Sequence, residues 1–200
     1  SAISTWPQAA EGEYIVLSNP AAAGVEKVHP GAGINNGVAL DYGRTINVHG
    51  PERFPRYPGQ SAETMKGHTL RTNEYLIVEV YNDLAAQANW KTAVMKPQKQ
   101  TTATTSEVEV PEETVDLNSD QQEFTMGQRL IIAGTDVSFY MPPTGVRVIP
   151  DEGGVYTRKA VTLERLQYCI LLAESGEKRY VHGPKVVLPK STEVFIEDDQ

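Results

Sequence analysis

The side chains best suited to bind a metal or carry a proton are His29, His49, His68, His182 and the single cysteine, Cys169. A zinc site needs three or four such ligands at short, characteristic spacings, and these five are scattered along 200 residues. Cys169 lies in the apolar run Tyr168-Cys169-Ile170-Leu171-Leu172, which predicts a buried, inert thiol. A nucleophilic thiol needs a base beside it and some exposure. One cysteine also forbids an intrachain disulfide. Gly31-Ala32-Gly33, followed by Gly37, lacks the helix of a dinucleotide fingerprint and reads as a loop. No Gly-x-Ser-x-Gly elbow is present. Asp116-Leu117-Asn118-Ser119-Asp120 has oxygen ligands at alternate positions, without the glycine and terminal glutamate of a calcium-binding loop. Glu112-Glu113 and Glu197-Asp198-Asp199 read as solvated loop and tail. These residues predict no catalytic, cofactor-binding or metal-binding site.

A repeated phrase carries more information. Glu13-Tyr14-Ile15-Val16-Leu17, Glu74-Tyr75-Leu76-Ile77-Val78 and Gln167-Tyr168-Cys169-Ile170-Leu171 are variations on one strand. Each is followed by an apolar run ending in glycine, at Gly50, Gly134 and Gly183, and then by a proline, at Pro58, Pro142 and Pro189. A glycine at a strand end predicts positive φ or close backbone approach, and the prolines belong at strand ends or edges. His49 and His182 share the slot before the glycine, which Ala133 fills in the middle phrase, so that slot reads as structural. Leu76–Tyr81 and Arg129–Ala133 contain no proline and read as central strands rather than edges. Short β-branched and aromatic runs, punctuated by glycine and proline, predict an all-β chain of tandem small antiparallel repeat domains with long inserted loops. Boundaries after each proline phrase give units at 1–60, 61–145 and 146–200. The insertions fall at 30–37 and 97–122, while only Ala173–Lys178 separates the runs of the third unit, a hairpin spacing. Asn82-Asp83-Leu84-Ala85-Ala86-Gln87-Ala88 reads either as a short capped helix or as a strand-to-strand loop.

These phrases resemble the repeat domains of the major vault protein, in which a strand pair leads to a Gly-Pro-like turn and a Tyr-x-Pro exit. The matching residues are Phe54-Pro55-Arg56-Tyr57-Pro58-Gly59-Gln60, Gly134…Tyr140-Met141-Pro142, Val161-Thr162-Leu163 through Leu172, and Glu13 through Asn19-Pro20. The likeness covers most of the chain through short motifs. It implies small β domains strung end to end and packed beside copies of themselves in a shell or tube wall, with no catalytic residues to carry over. Gly127-Gln128-Arg129-Leu130 departs from the family's Gly-Glu-Glu-Trp-like entry. The family's helical cap and shoulder have no counterpart here, so the resemblance implies a module reused in another particle, such as a bacteriophage virion.

A formal charge of −8 argues against nucleic acid or an anionic membrane as a partner, since each recruits concentrated positive charge. No apolar run approaches the roughly 20 residues of a membrane-spanning helix, and no signal peptide is visible at Ser1-Ala2-Ile3. Ser1 fits either initiator-methionine removal or proteolytic maturation. The expectation is a non-enzymatic structural subunit of a virion or cytoplasmic particle, with copies of itself and other particle proteins as partners. The alternative is a carbohydrate- or receptor-binding module of a tail or fibre-like assembly, using loops 30–44 and 97–122. Units of this size bury little surface alone and gain stability by stacking. The Thr105–Val110 segment alternates well enough to add a strand to a neighbouring edge. Arg44, Arg53 and Arg56 read as local partners of Glu52 or, between copies, of the acidic 107–113 stretch. Trp6 and Trp90 are candidate anchors, with burial the expectation for Trp90.

Overall fold

Each tyrosine phrase becomes the central strand of a three-stranded antiparallel core, its β-branched and aromatic residues suiting an extended chain paired on both edges. The computed structural model describes residues 6–22, 39–98, 108–109, 123–151, 153–190 and 192–196. In chain order the first group of strands is β1 (Gln8–Ala9), β2 (Glu13–Ser18), β3 (Thr45–His49), β4 (Glu52–Arg53) and β5 (Ser61–Lys66). The second comprises β6 (His68–Thr69), β7 (Glu74–Val80), helix α1 (Asp83–Asn89), β8 (Val94–Pro97), β9 (Val108–Glu109), β10 (Arg129–Ala133), β11 (Val137–Met141), β12 (Val146–Ile149) and β13 (Arg158–Lys159). The third comprises β14 (Val161–Leu163), β15 (Tyr168–Ala173), β16 (Lys178–His182), β17 (Lys185–Val187) and β18 (Glu193–Phe195).

Three sheets share one order. They are β3-β2-β5, β10-β7-β12 and β16-β15-β18, each with the tyrosine strand in the centre. Tyr14 stands opposite His49, Tyr75 opposite Ala133 and Tyr168 opposite His182. Past each glycine the chain leaves its sheet and pairs with the strand that preceded the tyrosine phrase: β4 with β1, β11 with β6, and β17 with β14. Apolar side chains fill the space between the two layers. Ala9, Ile15, Leu17 and Phe54 form the first core; Leu76, Val78, Ile132 and Tyr140 belong to the second; Leu163, Leu171, Val181 and Val187 form the third.

The glycines sit where the chain crosses from one layer to the other. Their amides donate to Glu13 O, Glu74 O and Gln167 O at 2.9, 2.8 and 2.8 Å. A Cβ on Gly50, Gly134 or Gly183 would collide with the carbonyl oxygen of Ala10, Arg71 or Glu164 respectively. The requirement is close approach, not positive φ. Those carbonyls open the turns that launch the central strands, and each turn is clamped by the residue that begins the phrase. Glu13, Glu74 and Gln167 donate their amides to the same carbonyls, and their side chains accept from the amides of Ala10, Arg71 and Glu164 at 2.9, 2.9 and 2.7 Å. Gln60, Gln128 and Glu193 repeat the clamp before β5, β10 and β18.

Two readings need correction. Arg129–Ala133 is an edge strand, β10, although Leu130 to Ala133 are buried. Its faces are covered by side chains from both sides, and face burial, not ladder position, keeps proline and charge out of Leu130–Ala133. Cys169 is half-buried beside its core rather than fully enclosed. The strands after the first two proline phrases pair back to the preceding sheet: β5 with β2, β12 with β7. Sheet membership therefore crosses the boundaries drawn at 60/61 and 145/146. Of the two alternatives at Asn82, the helix forms, with Asn82 Oδ1 accepting from Ala85 N at 2.8 Å. Trp90 is buried after it, against Phe124. From the 97–122 insertion, Val108–Glu109 pairs in parallel with β17 of the same chain. Both insertions lie between the tyrosine strand and the glycine strand; 30–37, 99–107 and 110–122 fall outside the described residues.

Gly134→Ala and Gly183→Ala are expected to lose about 2–3 kcal/mol of unfolding free energy, because the obstacle is backbone rather than a side chain that can swing away. A lower denaturant midpoint with an unchanged slope is the readout. Gly153→Ala, where an added Cβ meets the Asp151 carboxylate at 3.3 Å, should stay within about 0.5 kcal/mol of the parent.

Candidate functional site

Strand alternation gives every sheet two faces. One carries the core residues; the other carries the phrase tyrosine and the residue before the glycine. In the first sheet that second face holds Tyr14, Asn47 and His49, and it packs on the second group of strands. Asn47 Nδ2 donates to the carbonyls of Pro142, Pro143 and Val146 at 3.2, 2.9 and 3.2 Å, and Thr144 Oγ1 accepts from Asn47 N at 3.0 Å. His49 Nε2 lies 2.9 Å from Pro142 O. Tyr81 OH donates to Thr45 O at 3.2 Å and accepts from Gly145 N at 3.0 Å. β3 is an edge strand, and the 142–146 loop covers its exposed polar groups.

The centre of this junction is a cluster of titratable rings. Tyr14 OH is 3.4 Å from His68 Nε2, and the His68 ring lies 5.1 Å from that of Tyr156. Burial holds the His68 imidazole down at about 4. Burial also raises Tyr14, with Tyr156 and Glu63 adding to the effect, and raises Tyr140, whose hydroxyl is buried without a hydrogen-bond partner. All three groups are neutral at pH 7. A proton donor or base working near neutrality needs the opposite tuning, so the cluster is suited to holding two sheets together rather than to acid–base chemistry. A cavity of about 350 Å³ flanks it, between Met65–Thr69 and Gly154–Thr157.

The same face of the second sheet makes an apolar junction. Tyr75, Ile77, Ile131 and Ala133 pack against Ala160 and Leu188, with Val186 alongside. The middle sheet is thus buried on both faces. Beside this contact lies a cleft of about 840 Å³ lined by Arg129, Arg158, Asp151, Glu174 and Glu193. Arg129 pairs with Glu174 at 3.8 Å and Arg179 with Glu193 at 2.6 Å. With both signs of charge interleaved, the cleft has no preference for an anion or a cation.

The sequence-derived candidates end in separate places. His49 and His68 lie at the first junction, His182 lies beside Tyr168 in the third sheet with the rings tilted and 6.0 Å apart, and His29 lies outside the described residues. Among the described residues no three His, Cys, Asp or Glu side chains converge as a metal site. Arg44 pairs with Asp41 at 3.2 Å, and Arg53 lies over the exposed Trp6 ring at 5.4 Å. The acidic runs at 112–113, 116–120 and 197–199 lie outside the described residues. Sequence reading missed Asn47 and singled out His68 only as one of four scattered histidines, without its place at the junction. Neither a scan against protein-family models nor a search of curated proteins finds a match for this chain, so the vault-like resemblance rests on its short motifs alone.

Asn47→Asp replaces two donors with a carboxylate facing three carbonyl oxygens and is expected to destabilise the first junction by about 2–3 kcal/mol in denaturant unfolding. His68 gives a pH signature. The unfolded chain protonates it near 6.5 and the folded chain only near 4, so protons favour unfolding. Stability should be full above about 6.5 and fall by about 3 kcal/mol as pH drops to about 4. His68→Gln should flatten that slope in melting experiments across the same window.

Proposed function

We propose that this chain is a non-enzymatic structural subunit that self-assembles, or packs into a large particle such as a virion or shell. The observation that carries this reading is the way the sheets join. The first two are each continued by their last strand into the first strand of the next, β5 into β6 and β13 (which pairs with β7) into β14, while the next group covers their tyrosine face. A unit that offers one face and covers another is a building element, and its stability is shared with its neighbours. The vault-like phrases support the same reading, as does the neutral, internally bonded character of the titratable cluster. The test is the native mass by mass photometry or light scattering across salt and pH. Multiples of the single-chain mass, sensitive to salt because each copy carries −8, are the expected result. A single-chain mass under all conditions would refute self-assembly.

A further inference from the structure

The third sheet presents the face that its two predecessors bury. Tyr168 stands opposite His182 and Ile170 opposite Tyr180, in the register of Tyr14 with His49 and Tyr75 with Ala133. In the first two sheets this face is covered by the following group of strands. In the third, among the described residues, it is open: Tyr168 is 57% exposed and Tyr180 58%. The preceding turn adds an independent sign. Leu166 occupies the position of Gly12, where an added Cβ would meet the Phe139 ring of the covering group at 3.7 Å. Leu166 is 94% exposed and has φ +74, a left-handed conformation that disfavours any bulky side chain. An apolar side chain held in solvent on a strained backbone has no packing explanation within its own sheet.

The covering surface also draws on one position relative to the tyrosine in each group. It contains the residue eight positions before the tyrosine: Gly67 in the second group, beside Phe139, and Ala160 in the third, beside Leu188. In the first group that position is Trp6, and extending the Gln8–Arg53 register places Pro55 across from it. Trp6 is 53% exposed, with the Arg53 guanidinium over its ring. We infer that the Tyr168–Tyr180 face receives the Trp6–Pro55 surface of a second copy of this chain. This deepens the assembly reading and rests on it. Aromatic side chains at the centre of such a patch carry most of the binding energy, and a contact between two different surfaces propagates as a ring or filament.

Sedimentation velocity of the full chain tests this with three exposed-site variants whose folding is checked by circular dichroism. Tyr180→Glu and Trp6→Ala should each weaken self-association by about 30-fold or more. Leu166→Gly relieves the backbone and should raise the melting temperature while weakening association, a combination that misfolding cannot produce. A 1:1 mixture of Trp6→Ala and Tyr180→Glu retains one intact receiving face and one intact covering surface, and should form dimers and nothing larger. If the parent and all three variants assemble alike, this contact is wrong while the assembly reading stands. If single variants lose association but their mixture does not recover dimers, the head-to-tail arrangement is wrong. A parent that stays monomeric overturns both.

Discussion

At three corners the chain can turn only because a side chain is missing. Gly50, Gly134 and Gly183 press against the turn carbonyls of Ala10, Arg71 and Glu164 while their amides bond the residue that begins each tyrosine strand. The corner therefore fixes two strands at once. It sets where the glycine strand stops and which residue of the tyrosine strand lies opposite that stop. A slip of one residue would turn every side chain to the other face. The Glu or Gln clamp beneath the corner holds the turn carbonyl in place, so one small motif determines register, facing and the crossing between layers.

Identical backbone plans support junctions of different chemistry. The first is polar: Asn47 and His49 hydrogen-bond to a proline-rich loop, and Tyr81 donates back to Thr45 O. The second is apolar, because Ile131 and Ala133 stand where the first sheet has Asn47 and His49. A polar junction depends on every donor finding its acceptor and gains orientation from that requirement. An apolar one depends on area and tolerates small shifts. The first two groups are thus held at a defined angle by directed bonds, and the second and third by close packing.

Much of the fold was legible in the chain because strand alternation and the glycine and proline positions are local signals. The tyrosine strands and the third hairpin could both be read that way. The edge position of Arg129–Ala133 could not, since burial of both its faces gives the apolar run of a central strand. The clamping role of Glu13, Glu74 and Gln167 was present as a shared letter without a mechanism. The junction was least visible. Asn47 and His68 are joined by contacts with residues more than fifty or ninety positions away, and nothing in their own neighbourhoods marks them. His68 reads as one of four scattered histidines until Tyr14 and Tyr156 enclose it.

The way each sheet is entered and left has a bearing on how such a chain changes length. Glu13, at the entry to the first sheet, pairs with Lys66 at its exit, and Glu74 pairs with Lys159 in the second. Paired residues on antiparallel strands have Cα atoms about 5 Å apart. Each of these two sheets is therefore a detour that returns the chain to its starting point. Excising one leaves ends that a single peptide step nearly joins, and duplicating one inserts a closed excursion without rethreading its neighbours. The backbone path therefore leaves the neighbours of each of these two sheets nearly continuous without it.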